Sequence, residues 1–212
     1  KRVTLMTHLA DPDNTIENQE QISKFRTLCG NYPWTSYANS GAILEQNDHR
    51  ENEYIRPGIM SYGVLPLAKK KAETINLKPA MTVQARIVSI NTVQKGESVG
   101  YGRLYRAPKE SRIAVVAMGY ADGFPRNPQN ATVICQNNQF TVVGRASMDT
   151  FTIDVTNSDS VIQIGDWVTI WGEESPIEDL ALKASVSPYV LLTQLGDRVR
   201  KYYEIKQPEN VA

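Results

Sequence analysis

None of the apolar runs in this 212-residue sequence reaches the roughly 18 residues that read as a membrane-spanning helix. No charged, apolar and small-residue order marks a signal peptide either. Cysteine is scarce: Cys29 and Cys135 stand far apart without Cys-x-x-Cys spacing. That argues against a zinc site or a disulfide scaffold and suits a reducing cytosol. Charge of one sign is also lacking, since Lys plus Arg and Asp plus Glu are 23 each. No net field therefore draws nucleic acid or an anionic membrane. Lys69-Lys70-Lys71 is the only basic run and reads as a solvated loop, and no metal-ligand cluster, internal repeat or low-complexity tract stands out. What remains is 41% hydrophobic and 22% charged, the composition of a globular protein with room for one large domain or two small ones.

Two patterns divide the chain. In the first, Val3 to Met6 reads as a buried strand and Thr15 to Gly30 as a helix with Ile22, Phe25, Leu28 and Cys29 at helical spacing. Thr35 to Ala38 reads as another strand, followed by a short helix after Asn39-Ser40-Gly41 and by apolar chain around Arg56-Pro57-Gly58-Ile59. Strand and helix in alternation predict a parallel α/β unit, whose post-strand loops share one ligand-binding face. His8, Asn39, Ser40, Arg56, Gly58 and Ile59 fall at those strand ends. A serine hydroxyl with glycine-freed backbone N–H groups makes a phosphate cradle. The plainer reading leaves His8 as a structural hydrogen-bonder and Arg56 as a salt-bridge partner.

After Pro79 the period falls to two over Met81 to Ile87, as in a half-exposed antiparallel strand. Short strands are predicted near 113–118, 131–136, 139–144, 150–155 and 167–171, which implies a β-barrel or sandwich. Helices follow around Ile177, Leu180 and Leu182 and, after a Ser187-Pro188 start, through Tyr189 to Leu195. Arg198 to Ile205 reads as a closing strand. The boundary falls near residue 77, giving regions 1–76 and 77–212. The opening Lys1 to Met6 already reads as strand, so the sequence is expected to be part of a longer chain.

Three glycine clusters organise the second region: Ser98-Val99-Gly100-Tyr101-Gly102, Met118-Gly119-Tyr120-Ala121-Asp122-Gly123 and Gly144-Arg145-Ala146-Ser147-Met148-Asp149. Any one alone is an ordinary hairpin turn. In this order, and with His8, Asn39-Ser40 and Arg56-Pro57-Gly58-Ile59 before them, they resemble the alanine racemase family over essentially the whole chain. The resemblance is to the later part of that family.

It implies an α/β plus β fold, the last strands and helices of a (β/α)8 barrel followed by a mainly antiparallel β domain. It implies a cytoplasmic, bacterial pyridoxal 5′-phosphate enzyme that interconverts L- and D-alanine by two bases and supplies D-alanine for peptidoglycan. Asn39, Ser40, Gly58 and Ile59 would hold the cofactor phosphate, and Arg56 its ring nitrogen, with His8 between Arg56 and the base. Tyr101 would be that base, lent by the partner subunit of a homodimer. A phenol ordinarily ionises near about pH 10, so such a base needs cationic surroundings. The Met148 backbone N–H would meet the substrate carboxylate, and Tyr120, Asp13, Arg126 and Arg145 would narrow the access channel.

Two departures stand out. Asp197 occupies a place where some relatives carry a phosphate-binding tyrosine. The family's cofactor lysine, in a Lys-Ala-Asn-Ala-Tyr-Gly setting, has no counterpart among the lysines here. This segment alone is therefore expected to be inactive. Rival readings are a racemase of serine or another small amino acid, a related decarboxylase, and a non-catalytic pyridoxal-phosphate binding protein. Met148, where decarboxylases carry cysteine, speaks against the second, and the β domain against the third. A plain interaction module would leave all these residues as coincidence.

Overall fold

The computed structural model describes residues 3–11, 15–45, 53–66, 75–128, 130–158 and 160–204. It divides into two compact units, residues 1–83 with 169–179, and residues 84–168 with 180–212.

The first unit opens with β1 (Leu5–Met6), α1 (Thr15–Cys29), β2 (Thr35–Ser36) and α2 (Ser40–Glu45). β1 runs parallel to β2, and parallel bridges join Thr35 to Glu53 and Asn39 to Arg56. Parallel neighbours require a crossover, and α1 supplies the first. Its Ile22 packs into a cluster with Leu9, Tyr37, Ala38 and Ala42, and Phe25 lies against it. α1 stops at Gly30, whose φ of +54° suits the left-handed position after a helix, and whose N–H closes on the Arg26 carbonyl at 3.1 Å.

Leu28, expected on the buried stripe, is exposed, because Ile22 and Phe25 already define the face that meets the cluster. Val3 and Met6 are exposed too. From Leu5 to Leu9 the pleat turns odd residues inward and even ones outward, so Met6 and His8 share the outer side.

The second unit is built on antiparallel ladders. β3 (Val83–Val93) is followed by β4 (Ser98–Val99), β5 (Tyr105–Arg106), β6 (Ser111–Val116), β7 (Thr132–Cys135), β8 (Asn138–Val143), β9 (Phe151–Asp154) and β10 (Trp167–Trp171), of which Val83 and the last three residues of β10 are counted with the first unit. Six of these close a barrel in the order β10-β3-β6-β9-β8-β7. Of the barrel and sandwich predicted as alternatives, the closed ring is the one formed, and closure leaves no free edge. Ile87, Val116, Val133 and Ile153 fill it, and Phe124 stacks on Phe151 at 4.1 Å. The alternation runs from Val83 to Val88, which leaves Val88 exposed, and a register shift between Ile87 and Ser89 then takes Val88 out of step with β6. β7 and β8 join through Gln136 and Asn137, both at positive φ, the tight hairpin geometry.

Two helices follow, α3 (Ile177–Ala184) and α4 (Pro188–Gln194). Ser187 caps α4 by accepting the Tyr189 N–H, with Pro188 in its first turn. Leu182 is exposed while Ile177 and Leu180 are buried. The closing strand expected at 198–205 does not form over residues 198–204. A closed barrel offers it no edge to pair with, and Tyr202 and Tyr203 stay exposed.

Candidate functional site

In the first unit the parallel ladder brings together the side chains that the strand-end reading selected. The Arg56 N–H bonds to the Ala38 carbonyl at 2.9 Å, which sets the arginine at the C-terminal end of the ladder. Its guanidinium donates to the Thr7 carbonyl at 3.0 Å and to the Ser36 hydroxyl, and lies 3.4 Å from His8 Nδ1. Ser36 is buried and donates onward to the Tyr54 carbonyl at 2.6 Å. Arg56 is thus held by three groups from two chain segments, and a planar donor fork held this way presents a fixed direction.

His8 has a donor on each side. Arg56 faces Nδ1, and the Asn39 amide nitrogen lies 3.4 Å from Nε2. That amide nitrogen also donates to the Leu9 carbonyl at 3.2 Å, while Asn39 Oδ1 accepts the Ala42 N–H at 3.0 Å. A neutral imidazole has a single acceptor nitrogen, so His8 satisfies one of its two donors at a time. Asn39 serves as cap to α2, and the next residue, Ser40, is buried. Ser40 Oγ accepts the Gly58 N–H at 2.9 Å and the Met60 N–H at 3.4 Å. Ile59 begins a 3-10 turn, Ile59–Tyr62, directly after Gly58. A hydroxyl met by two backbone amides is a donor-rich corner suited to an anion. Asp13 lies outside the described residues.

In the second unit the three glycine clusters meet. A Cβ on Gly119 would lie 2.2 Å from the Met148 carbonyl oxygen, and one on Gly144 would lie 2.8 Å from that of Val99. Only glycine permits these approaches. Two bonds zip the second and third clusters, Tyr120 N–H to the Ser147 carbonyl at 3.1 Å and Ala121 N–H to that of Met148 at 3.0 Å. Tyr101 stands at the hairpin tip between Gly100 at φ +77° and Gly102 at φ +75°, and is 70% exposed. Met148 and Tyr120 are also exposed. Arg126 lies over the Tyr120 ring at 5.9 Å, and Arg145 Nε donates to Asn127 at 2.8 Å.

Five further residues hold these turns, and the sequence reading did not assign them a role. Asp122 Oδ2 accepts the Gly119 N–H at 2.9 Å, and Arg198 bridges Asp122 at 3.2 Å and Asp149 at 2.5 Å. The Asp149 hydrogen bond first, and then the Asp122 charge, hold the Arg198 guanidinium above its already high range. Tyr105 donates to Asp154 at 2.9 Å. Asp122 lay inside a quoted motif, but its partner is 76 positions away, and no local pattern reports such a pair.

A parallel strand-and-helix unit with a fixed arginine and a hydroxyl–amide corner, together with a closed antiparallel barrel bearing a glycine-framed tyrosine, defines a class of two-part proteins. Residues 1–66 match the alanine racemase N-terminal domain and residues 80–203 the alanine racemase C-terminal domain. The chain belongs to the alanine racemase family. An alanine racemase of Legionella pneumophila (strain Corby) is 41% identical over 204 residues, 94% of this chain and 57% of its own. One of Thiobacillus denitrificans is 38% identical over 201 residues, 93% of this chain and 54% of its own. Among solved structures, the biosynthetic alanine racemase from Pseudomonas aeruginosa superposes with a TM-score of 0.91 at 34% identity, over 97% of this chain and 58% of that one. The alanine racemase from Bartonella henselae with covalently bound pyridoxal phosphate superposes with a TM-score of 0.82 at 32% identity, over 95% of this chain and 56% of that one. The chain spans a little over half the length of these relatives.

Proposed function

We propose that the protein interconverts L- and D-alanine with pyridoxal 5′-phosphate, using two bases on opposite faces of the substrate, and so supplies D-alanine for peptidoglycan. The observation that carries this reading is the Arg56 network beside the Ser40 corner, supported by family membership and by the relative with bound pyridoxal phosphate. The donor set fits such a cofactor. Ser40 Oγ accepts two backbone amides and so keeps its own O–H to donate, which suits a phosphate oxygen, and Arg56 only donates, which suits an unprotonated ring nitrogen.

When bound, the cofactor supplies the conjugated electron sink that makes a Cα proton removable. This chain's residues do the rest of what falls to it. Asn39, Ser40, Gly58 and Ile59 would hold the phosphate. Arg56 would donate at the ring nitrogen, and a ring left unprotonated there would be a weaker electron sink than a pyridinium, which would discourage transamination. His8 links Arg56 to the phenol of Tyr101, which takes or returns the proton on one face. The Met148 N–H orients the substrate carboxylate, and Tyr120, Asp13, Arg126 and Arg145 restrict access.

In this reading the protein is a homodimer in the cytoplasm, with Tyr101 and Met148 lent across the subunit interface and residues 77–212 forming the lending domain. The second base is the family's cofactor lysine, which these 212 residues do not contain, so the segment alone is inactive. Tyr101→Phe in the intact enzyme tests the assignment. Turnover is expected to fall by about 10²- to 10⁴-fold while the visible absorbance of bound cofactor is unchanged. A variant that racemises alanine at the parent rate sinks the reading.

A further inference from the structure

Tyr101 has little of its own to aim it. Its side chain is 70% exposed, and the hairpin that carries it has only two residues per strand, with β4 and β5 paired to each other in a sheet of their own. The tip is held in unusual backbone, with left-handed φ at Gly100, Gly102 and also Arg103, at +51°. A side chain other than glycine is disfavoured there, so the tip keeps its shape only while its surroundings impose it. The direction of the phenol must therefore come from whatever ties this short hairpin to the barrel.

Close packing of Val99 against Gly144 is one tie. The other is polar. Tyr105, in β5 and four residues beyond Tyr101, donates its hydroxyl to Asp154 Oδ2 at 2.9 Å. Asp154 is a well-fixed acceptor. It lies in β9 opposite Ile113 of β6 and Thr141 of β8, and its other oxygen accepts the Thr156 N–H at 2.9 Å and hydroxyl at 2.5 Å. With both oxygens engaged the carboxylate cannot turn. Burial first, and then the Asp154 hydrogen bond, push the Tyr105 phenol above its ordinary range, so it remains a donor at neutral pH.

We propose that the Tyr105–Asp154 hydrogen bond is the anchor that aims Tyr101, which makes Tyr105 and Asp154 positioning residues for proton transfer. The inference rests on the reading that Tyr101 is a base. A phenol displaced by about an ångström transfers its proton far more slowly, since misplacement on that scale costs up to about 10²-fold.

The test uses the full-length enzyme with L- and D-alanine, each with protium or deuterium at Cα. Tyr105→Phe is expected to lower kcat by about tenfold with KM nearly unchanged. The Cα isotope effect should rise for the enantiomer whose proton Tyr101 removes, and fall toward unity for the other. A variant that merely folds less well lowers kcat but leaves both isotope effects as they were. Asp154→Ala should shift them in the same directions, and the double variant should add little to the isotope effects, because both remove the same bond. Unchanged isotope effects in Tyr105→Phe and Asp154→Ala overturn the anchor. Tyr101→Phe run alongside separates the two failures. If it abolishes turnover while Tyr105→Phe changes nothing, only the anchor falls. If it racemises at the parent rate, the base assignment falls with it.

Discussion

The two units hold their site residues by opposite means. In the first, Arg56, His8, Asn39 and Ser40 are held by hydrogen bonds, chiefly to backbone carbonyls and amides at the ends of parallel segments. In the second, Tyr101, Tyr120 and Met148 are exposed side chains on turns fixed by main-chain packing against glycines. A donor that must meet a bound anion or ring nitrogen gains from a locked direction. A group meant to meet something outside its own unit must project, and rigidity then has to lie in the backbone beneath it. The comparison predicts that the first site breaks when a polar atom is removed, and the second when a carbon atom is added.

The largest effect is expected from adding that carbon. Gly119→Ala puts a methyl 2.2 Å from the Met148 carbonyl oxygen, and both partners are backbone that two hydrogen bonds hold in place. The φ of −134° at Gly119 is open to any residue, so the cost is steric alone. Overpacking of this kind costs about 3 kcal/mol, and urea denaturation of the intact protein would show it. A wild-type midpoint would mean that the turns are not held as tightly as the structure has them.

Arg56→Lys should come next. Lysine keeps the charge but cannot reach Thr7, Ser36 and His8 in one plane. Loss of bonds to a charged donor costs about 2 kcal/mol, and in the proposed function the donor at the ring nitrogen would lose its direction. Cofactor affinity, followed by absorbance during dilution, should weaken by about tenfold. Ser40→Ala removes the acceptor of the Gly58 and Met60 amides without touching Arg56. Its expected effect is smaller on stability, about 1 kcal/mol, and similar on cofactor retention. If Ser40→Ala leaves retention unchanged, the phosphate lies elsewhere.

Much of this arrangement was legible in the residues. Period two against period 3.6 separated the antiparallel part from the parallel part, and Ser187-Pro188 and Gly30 marked helix ends that the structure keeps. Strand-end position picked out His8, Asn39, Ser40 and Arg56, because in parallel units the ladder itself carries such residues to one face. Exposure was less legible. Leu28, Leu182, Val3 and Met6 fit apolar patterns yet face outward, since periodicity reports which residues share a face but not whether anything covers it. The segment 198–204 reads as strand by composition, and only ring closure elsewhere denies it a partner. The Arg198 clasp and the Tyr105–Asp154 bond were hidden for a similar reason, since each joins residues 49 or more positions apart apart from the Asp122–Gly119 contact.

The two buried cysteines give the mildest version of the comparison, because they report on the scaffold of each unit without touching its site. Cys29 is the last residue of α1, where helix ends fray at low cost. Cys135 ends β7 inside the closed barrel and is 1% exposed. Burial first, and the Asp166 charge second, push the Cys135 thiol up to about 11, so almost no thiolate forms at neutral pH. In native protein at pH 8, a thiol reagent followed by peptide mass mapping should modify Cys29 well before Cys135. The sign of the pH dependence also follows. A thiol that ionises later in the folded than in the unfolded chain adds stability below about pH 9, and that stability is lost as pH rises through about 11. Cys135→Ala should therefore flatten the alkaline fall in stability, and Cys29→Ala serves as the first unit's control. Labelling of Cys135 as fast as Cys29 would show that the barrel opens as readily as a helix end. In that case the second unit would not have the rigid backbone that its exposed side chains require.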